Sequence, residues 1–471
     1  MKDRYIATVD LGSSKIALSV ARVTGDDVQV LYYRESPSDG VRYGSIFNPK
    51  KASKALRDAI SAAEEELGVK IRQVVIGMPR CGVRQETACA SSQRSDSSSC
   101  ITQEEIDAIK NMALDTYPLE DEEEEEMYGA VAQSFSTEDA FNYSEEDVIG
   151  MPSRSLEGNF KVFVGRKKAV RNIDIMLSEA GVAEAAKYFL PLSTAEAVLT
   201  PEEKENGVAL IEMGAGVTSV AICQDGILRY YAAIPFGGGN ITTDIKYECG
   251  FTWELAENIK MAFGACMPER LQNMSEKTLQ IRDEEDGTSR QVTVKYLSEI
   301  ITARVKEIVD AILFKVQESG YADMLRNGIV LTGGGANLVN CGNMIKQMSG
   351  YNVRIGYPRA KRMSASGCPG ITETGAAASV GMLMLATADS HIDCANEKKG
   401  VSAPARKAAG SVRDDAPARD NLFGDDEIEV VAPQKDGKTA KADKQPRKGF
   451  FTWTKGKVAE FVGDLYDGME D

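Results

Sequence analysis

Two segments of this chain open the same way, and that repeat limits its fold more than any other feature. Near the start runs Ile6-Ala-Thr-Val-Asp10-Leu-Gly12-Ser13-Ser14-Lys15-Ile-Ala-Leu, and later runs Val208-Ala-Leu-Ile-Glu212-Met-Gly214-Ala-Gly216-Val217-Thr218-Ser-Val-Ala-Ile. Each is an apolar strand, a carboxylate, a Gly-rich turn and a second apolar strand. Glycine has no Cβ, so such a turn lets backbone N–H groups approach a phosphate closely. Two copies facing each other would clamp a polyphosphate between two lobes.

Composition narrows the alternatives. At 471 residues and 43% hydrophobic content the chain has material for two to four cored domains. A formal charge of −16 argues against nucleic acid as the main partner. Nine cysteines without a C-x-x-C pair point to a reducing cytoplasm, not to a disulfide framework or a zinc site. The single histidine, His391, lies beyond the last core element. That argues against a Ser-His-Asp triad, a His-rich metal site and a His general base, leaving carboxylates, lysine, hydroxyls and bound metal. Met1-Lys2-Asp3-Arg4 leads straight into a strand broken by Asp10, which is not a signal peptide, and no run approaches a membrane-spanning length.

The order of elements predicts an α/β protein of two duplicated lobes around a cleft. Residues 1–78 read as three strands, a helix over Lys50–Leu67 stopped by Gly68, and a strand Gln73–Ile76, forming the first lobe. Residues 79–166 read as a small β-α-β-β insert, with Thr102-x-x-Glu105 as a capping box and an acidic loop at Asp121–Glu126. Residues 167–200 return to the first lobe, 201–365 form the second, and 366–395 complete the first. In the second lobe, Leu297, Ile301, Val305, Ile308 and Ile312 make a core stripe on one long helix, Val292–Glu318. Residues 396–447 have linker composition, with Ile428–Val431 as a local apolar exception. Residues 448–471 read as an amphipathic helix.

The Gly-rich turns gain weight from their order. Asp10-Leu-Gly, Glu212-Met-Gly-Ala-Gly-Val-Thr and Leu331-Thr-Gly-Gly-Gly-Ala-Asn resemble the first phosphate, second phosphate and adenosine motifs of the actin, heat-shock chaperone and sugar kinase superfamily. Pro191-Leu-Ser-Thr-Ala-Glu196 and Glu373-Thr-Gly-Ala-Ala-Ala resemble its two connecting helices. Within it, Ile234-Pro-Phe-Gly-Gly-Gly-Asn-Ile-Thr-Thr-Asp244, the stretch Ala256–Lys260 and the position of the insert are similar to the FtsA family, bacterial cell-division homologues of actin. The resemblance covers roughly residues 1–390 and resumes in the terminal helix. It implies an actin-like fold with an SHS2-like insert.

The resemblance also implies roles. Asp10 would hold Mg²⁺ through water. Gly12, Ser13, Ser14 and Lys15 would face the phosphates of ATP from one side, and Gly214, Gly216, Val217 and Thr218 from the other. Gly237, Gly238 and Gly239 would lie beside them. Gly333, Gly334, Gly335 and Asn337 would approach the adenosine. Glu257 and Lys260, three apart on one helix face, would reach the ribose and base, although such spacing is otherwise an ordinary surface ion pair. Glu196 would position the attacking water, or else pair locally. At position 212 the family usually has Asp. The extra methylene of Glu212 predicts retained nucleotide binding with at most weak ATPase activity.

The last segment carries Arg447, Lys448, Lys455 and Lys457 at its start and Glu460, Asp464, Asp467, Glu470 and Asp471 towards its end. This order opposes the helix macrodipole, so the helix is expected to be marginal in water. Its basic start would meet anionic lipid, with Phe450, Phe451, Trp453, Val458, Phe461, Val462 and Leu465 supplying apolar contact. A linker of roughly 50 residues gives the helix a coil reach of about 40 Å. The expected protein therefore polymerises on the cytoplasmic side of the inner membrane at the division septum, as a peripheral membrane protein. There it would tether FtsZ filaments by their C-terminal peptide and meet other division proteins. A PilM-type assembly platform and a small-molecule kinase are the alternatives.

Overall fold

A computed structural model describes residues 3–397, except residues 26, 97, 272–275, 283–288, 360–362 and 366, together with 428–431. The chain divides into two units. Of the described residues, the first comprises those within 3–237, Lys315–Ala336 and 351–397, and the second those within Gly238–Phe314, Asn337–Gly350 and 428–431.

The first unit contains both copies of the repeat. In one sheet the strands Asp27–Pro37, Lys15–Thr24, Arg4–Leu11, Gln73–Gly77 and Ala183–Tyr188 lie side by side in that order. In the other, the order is Ile227–Ile234, Thr218–Gln224, Val208–Met213, Ile329–Thr332 and Val353–Ile355. In each sheet an antiparallel meander is followed by strands added in parallel. The parallel additions explain why Ile6–Val9 and Val208–Ile211 are buried without alternation, since both faces of these strands are covered. The mixed α/β architecture expected from the repeat is the one observed.

The helices follow their local signals. Asn48 caps Pro49–Leu67 by accepting from the Lys51 N–H, and Gly68 ends it in the left-handed conformation at φ 68°. Thr102 and Glu105 form the expected reciprocal capping box at the start of Gln103–Thr116. That helix covers a three-stranded sheet in which Ser155–Arg166 lies between Arg84–Gln93 and Glu125–Ser136. The insert has its own core, including Ile106, Ile109, Phe135, Phe160 and Val162. Glu125, from the acidic run, forms an ion pair with Arg84 instead of remaining solvated.

In the second unit the helices Gly238–Cys249 and Trp253–Phe263 pack together, and Leu297, Ile301, Val305, Ile308 and Ile312 are buried as the stripe required. Two boundaries differ from the sequence reading. The long helix begins at Val294, because Val292 belongs to the strand Ser289–Thr293. Ile428–Val431, read as an exception within a linker, forms a strand antiparallel to Thr278–Arg282, pairing Ile428 with Ile281 and Val431 with Thr278. A tetrapeptide with three β-branched residues is a ready partner for an open sheet edge. The terminal helix and its residues Phe450, Phe451, Trp453, Lys455, Lys457, Val458, Phe461, Val462 and Leu465 lie outside the described residues.

Candidate functional site

The two Gly-rich turns are built alike. The Gly12 N–H donates to the Lys15 carbonyl at 2.9 Å, and the Gly214 N–H donates to the Val217 carbonyl at 2.8 Å. The acid lies two residues before the glycine in each: Asp10 pairs with Ala17, and Glu212 with Ser219. The hairpins are therefore equivalent in register as well as in sequence.

The turns also touch. A Cβ on Gly216 would stand 2.6 Å from Ser13 Oγ, closer than van der Waals contact allows. Ser13 Oγ is fixed there by accepting the Gly44 N–H at 3.0 Å. A Cβ on Gly237 would lie 2.3 Å from the Gly214 carbonyl, so the loop after the strand Ile227–Ile234 runs directly against the second turn. Gly333 is tied to Thr374, whose Oγ1 donates to the Gly333 carbonyl at 2.9 Å, and the short turn Gly334–Asn337 follows. Lys15 is paired with Glu35, which also accepts from the Tyr33 hydroxyl at 2.6 Å. The Ser14 carbonyl accepts the Ser38 N–H at 3.0 Å. The Thr218 hydroxyl donates to the Phe236 carbonyl at 2.8 Å, and Val217 is buried. Both residues therefore offer backbone groups to the turn, not side-chain ones.

Asp10 and Glu212 share a cation. Arg80 Nη2 lies 2.9 Å from a Glu212 oxygen and 3.5 Å from Asp10 Oδ1, and the three side chains are only 12%, 14% and 9% exposed. Thr194 Oγ1 donates to the other Glu212 oxygen at 2.9 Å. The Arg80 carbonyl accepts the Tyr231 hydroxyl at 2.6 Å, and the Tyr231 ring meets Phe163 and Phe189 edge-on. Burial pushes the Glu212 carboxyl above the usual carboxylate range, and Arg80 pulls it back. Burial works against the Arg80 charge too, but Glu212 and then Asp10 outweigh it and hold the guanidinium protonated.

This arrangement bears on the Mg²⁺ expected at Asp10. Asp10 Oδ1 is buried without a hydrogen-bond partner, but it faces a guanidinium and not an open cavity. Among the described residues no group of three or more His, Cys, Asp or Glu side chains is arranged to hold a metal. With Arg80 already between the carboxylates, the donor set does not fit a divalent ion held by this pair.

Elsewhere the expected residues have local partners. Lys204 Nζ donates to Glu196 at 2.5 Å, and Thr194, two residues earlier on the helix Leu190–Val198, is the side chain that reaches Glu212. In the second unit, Lys260 pairs with Glu257 at 2.7 Å and donates to the Gly238 carbonyl at 3.0 Å. Thr242 donates to Glu257, and Thr243 donates to the Gly239 carbonyl at 2.9 Å. The expected pair thus ties the helix Trp253–Phe263 to the start of Gly238–Cys249. Burial lowers the Lys260 pKa, with Glu257 opposing. Sequence reasoning missed Arg80 and Thr194, neither of which lies in a glycine motif.

Comparison with known proteins decides the family. The family model described as cell division protein FtsA matches residues 209–381, a span that holds the second turn and both later glycine clusters. The cell division protein FtsA of Neisseria meningitidis is 30% identical over 363 residues, covering 76% of this chain and 85% of that one. The chain belongs to the FtsA family. The FtsA of Streptococcus pneumoniae is 28% identical and is covered over 76% of its length. In fold, this FtsA-family chain is similar to a solved PilM-PilN type IV pilus biogenesis complex chain. The TM-score is 0.57 at 16% identity, covering 80% of this chain and 98% of that one. At that identity the likeness speaks for the actin-like fold alone. Among the described residues no helix is long and apolar enough to cross a membrane.

Proposed function

We propose that this FtsA-family chain binds ATP at its paired turns, polymerises, and tethers FtsZ filaments to the cytoplasmic face of the inner membrane at the division septum. The observation that carries the nucleotide part is the contact of two register-equivalent Gly-rich turns, Ser13 against Gly216. Within the first unit, Gly12, Ser13, Ser14 and Lys15 would meet the phosphates from one turn, and Gly214, Gly216, Val217 and Thr218 from the other. Gly237 would close the rim, and Gly333, Gly334 and Gly335 would approach the adenosine. Backbone N–H groups do most of this work, because they need no reorganisation when the anion arrives.

ATP acts here as a conformational ligand. Glu196 would have to leave Lys204 before it could position a water, and Glu212 already has two partners, so hydrolysis is weak at most. Membrane attachment belongs to residues 448–471, whose composition is that of an interfacial helix with a basic start. One such short, Gly-interrupted helix binds weakly, and a filament multiplies it by avidity.

The test is co-sedimentation of the protein with anionic liposomes, with and without ATP, beside a chain ending at Gln445. Binding by the full chain alone, strengthened by ATP, supports the reading. If both chains stay in the supernatant, the tether is lost and an assembly platform of the pilus type takes its place.

A further inference from the structure

We propose that Arg80 is a built-in replacement for the divalent cation at this nucleotide site, so that ATP binds with little dependence on Mg²⁺. The inference rests on the reading of the paired turns as an ATP site. Its basis is the position of one guanidinium, 2.9 Å from Glu212 and 3.5 Å from Asp10, at the equivalent acids of the two hairpins. A polyphosphate brought to these turns meets two carboxylates of its own sign. A divalent cation would ordinarily offset that repulsion, binding carboxylate oxygens and phosphate oxygens together.

Arg80 meets the same need by other means. It is a fixed positive charge, always protonated, and planar enough to serve two acids. Its Nη2 is engaged by Glu212 and Asp10, while its Nε is buried without a hydrogen-bond partner and keeps an N–H donor to offer. Phosphate oxygens are the acceptors that match an arginine fork best. The side chain is held from behind, since Tyr231 anchors its carbonyl and Phe163 and Phe189 pack around Tyr231. Glu212 takes part by its length. Its carboxylate spans from the Thr194 hydroxyl to Arg80, using one oxygen for each.

The experiment is calorimetric titration of the full chain with ATP, in Mg²⁺ and again in EDTA. The expected dissociation constants differ by less than about threefold, and the variant Arg80→Met weakens binding in EDTA by about tenfold or more, with Mg²⁺ recovering part of the loss. Removing Arg80 leaves two buried carboxylates unpaired, so a variant that also carries Glu212→Gln is tested in parallel in case the single change does not fold. A wild-type chain whose ATP binding is weakened by more than about threefold in EDTA overturns the inference while leaving the nucleotide site standing. No ATP binding under either condition overturns the nucleotide reading itself, and the inference with it.

Discussion

Ser13 Oγ lies where a side chain on Gly216 would begin, 2.6 Å from the position a Cβ would take. The two halves of the duplicated motif are thus matched as surfaces as well as in sequence. Gly216→Val is expected to push the turns apart and weaken ATP binding by about tenfold or more, while far-UV circular dichroism stays as in the wild type. Gly216→Ala is expected to weaken binding as well, and combining it with Ser13→Gly should recover part of that smaller loss, since it removes the obstructing hydroxymethyl. An unchanged affinity in Gly216→Val would mean that the nucleotide does not use this contact.

Tyr231 offers a second test. Its hydroxyl reaches the Arg80 carbonyl, and its ring meets the stacked pair Phe163 and Phe189 edge-on. Tyr231→Phe keeps the ring and removes one hydrogen bond, at a cost of about 1 kcal/mol in urea unfolding. Phe163→Ala removes a fully buried ring and is expected to cost about 3–5 kcal/mol by the same measurement.

Within the insert, Arg94 hydrogen-bonds Glu105 at 2.8 Å, and with the Thr102 N–H it holds the Glu105 carboxyl below the usual range against the effect of burial. A carboxyl lowered on folding contributes stability above its unfolded pKa, and that contribution fades as pH falls through the folded value. Glu105→Gln should therefore differ most from the wild type above about pH 5, with the gap in unfolding midpoint closing below about pH 4. A gap that widens in acid would reverse the assigned sign.

The cap of the same helix can be tested separately. Thr102→Ala removes the side chain that accepts the Glu105 N–H and is expected to cost about 1 kcal/mol. Thr102→Ser, which keeps the hydroxyl, should recover most of it.

Much of this architecture was legible because its signals are local. The hairpins announce themselves by apolar runs on either side of glycine, the capping box by Thr102 and Glu105, and the helix end by Gly68. Arg80 carries no such signal. It follows a proline in an irregular segment, and its partners are remote in the chain, Asp10 far before it and Glu212 far after it. Glu212 was visible as a departure from Asp, but the reason for its length was not, because Thr194 and Arg80 reach it only in the folded chain. Glu196 shows the converse. Its place beside a family-like motif suggested chemistry, and its carboxylate is engaged by Lys204, eight residues on. The strand Ile428–Val431 was hidden for a third reason: four residues are too few for periodicity, and pairing with Thr278–Arg282 depends on an edge about 150 residues away.

Duplicating an acidic hairpin and folding the copies against each other creates an electrostatic debt at the seam, because both copies bring the same sign of charge. That debt can be settled by an ion borrowed from solution, in which case assembly follows the ion's concentration. Here the settling charge is encoded in the chain at Arg80. Such a seam carries part of its own counter-charge, so the repulsion between the two copies is lowered by the chain itself, whatever the metal content of the surrounding fluid.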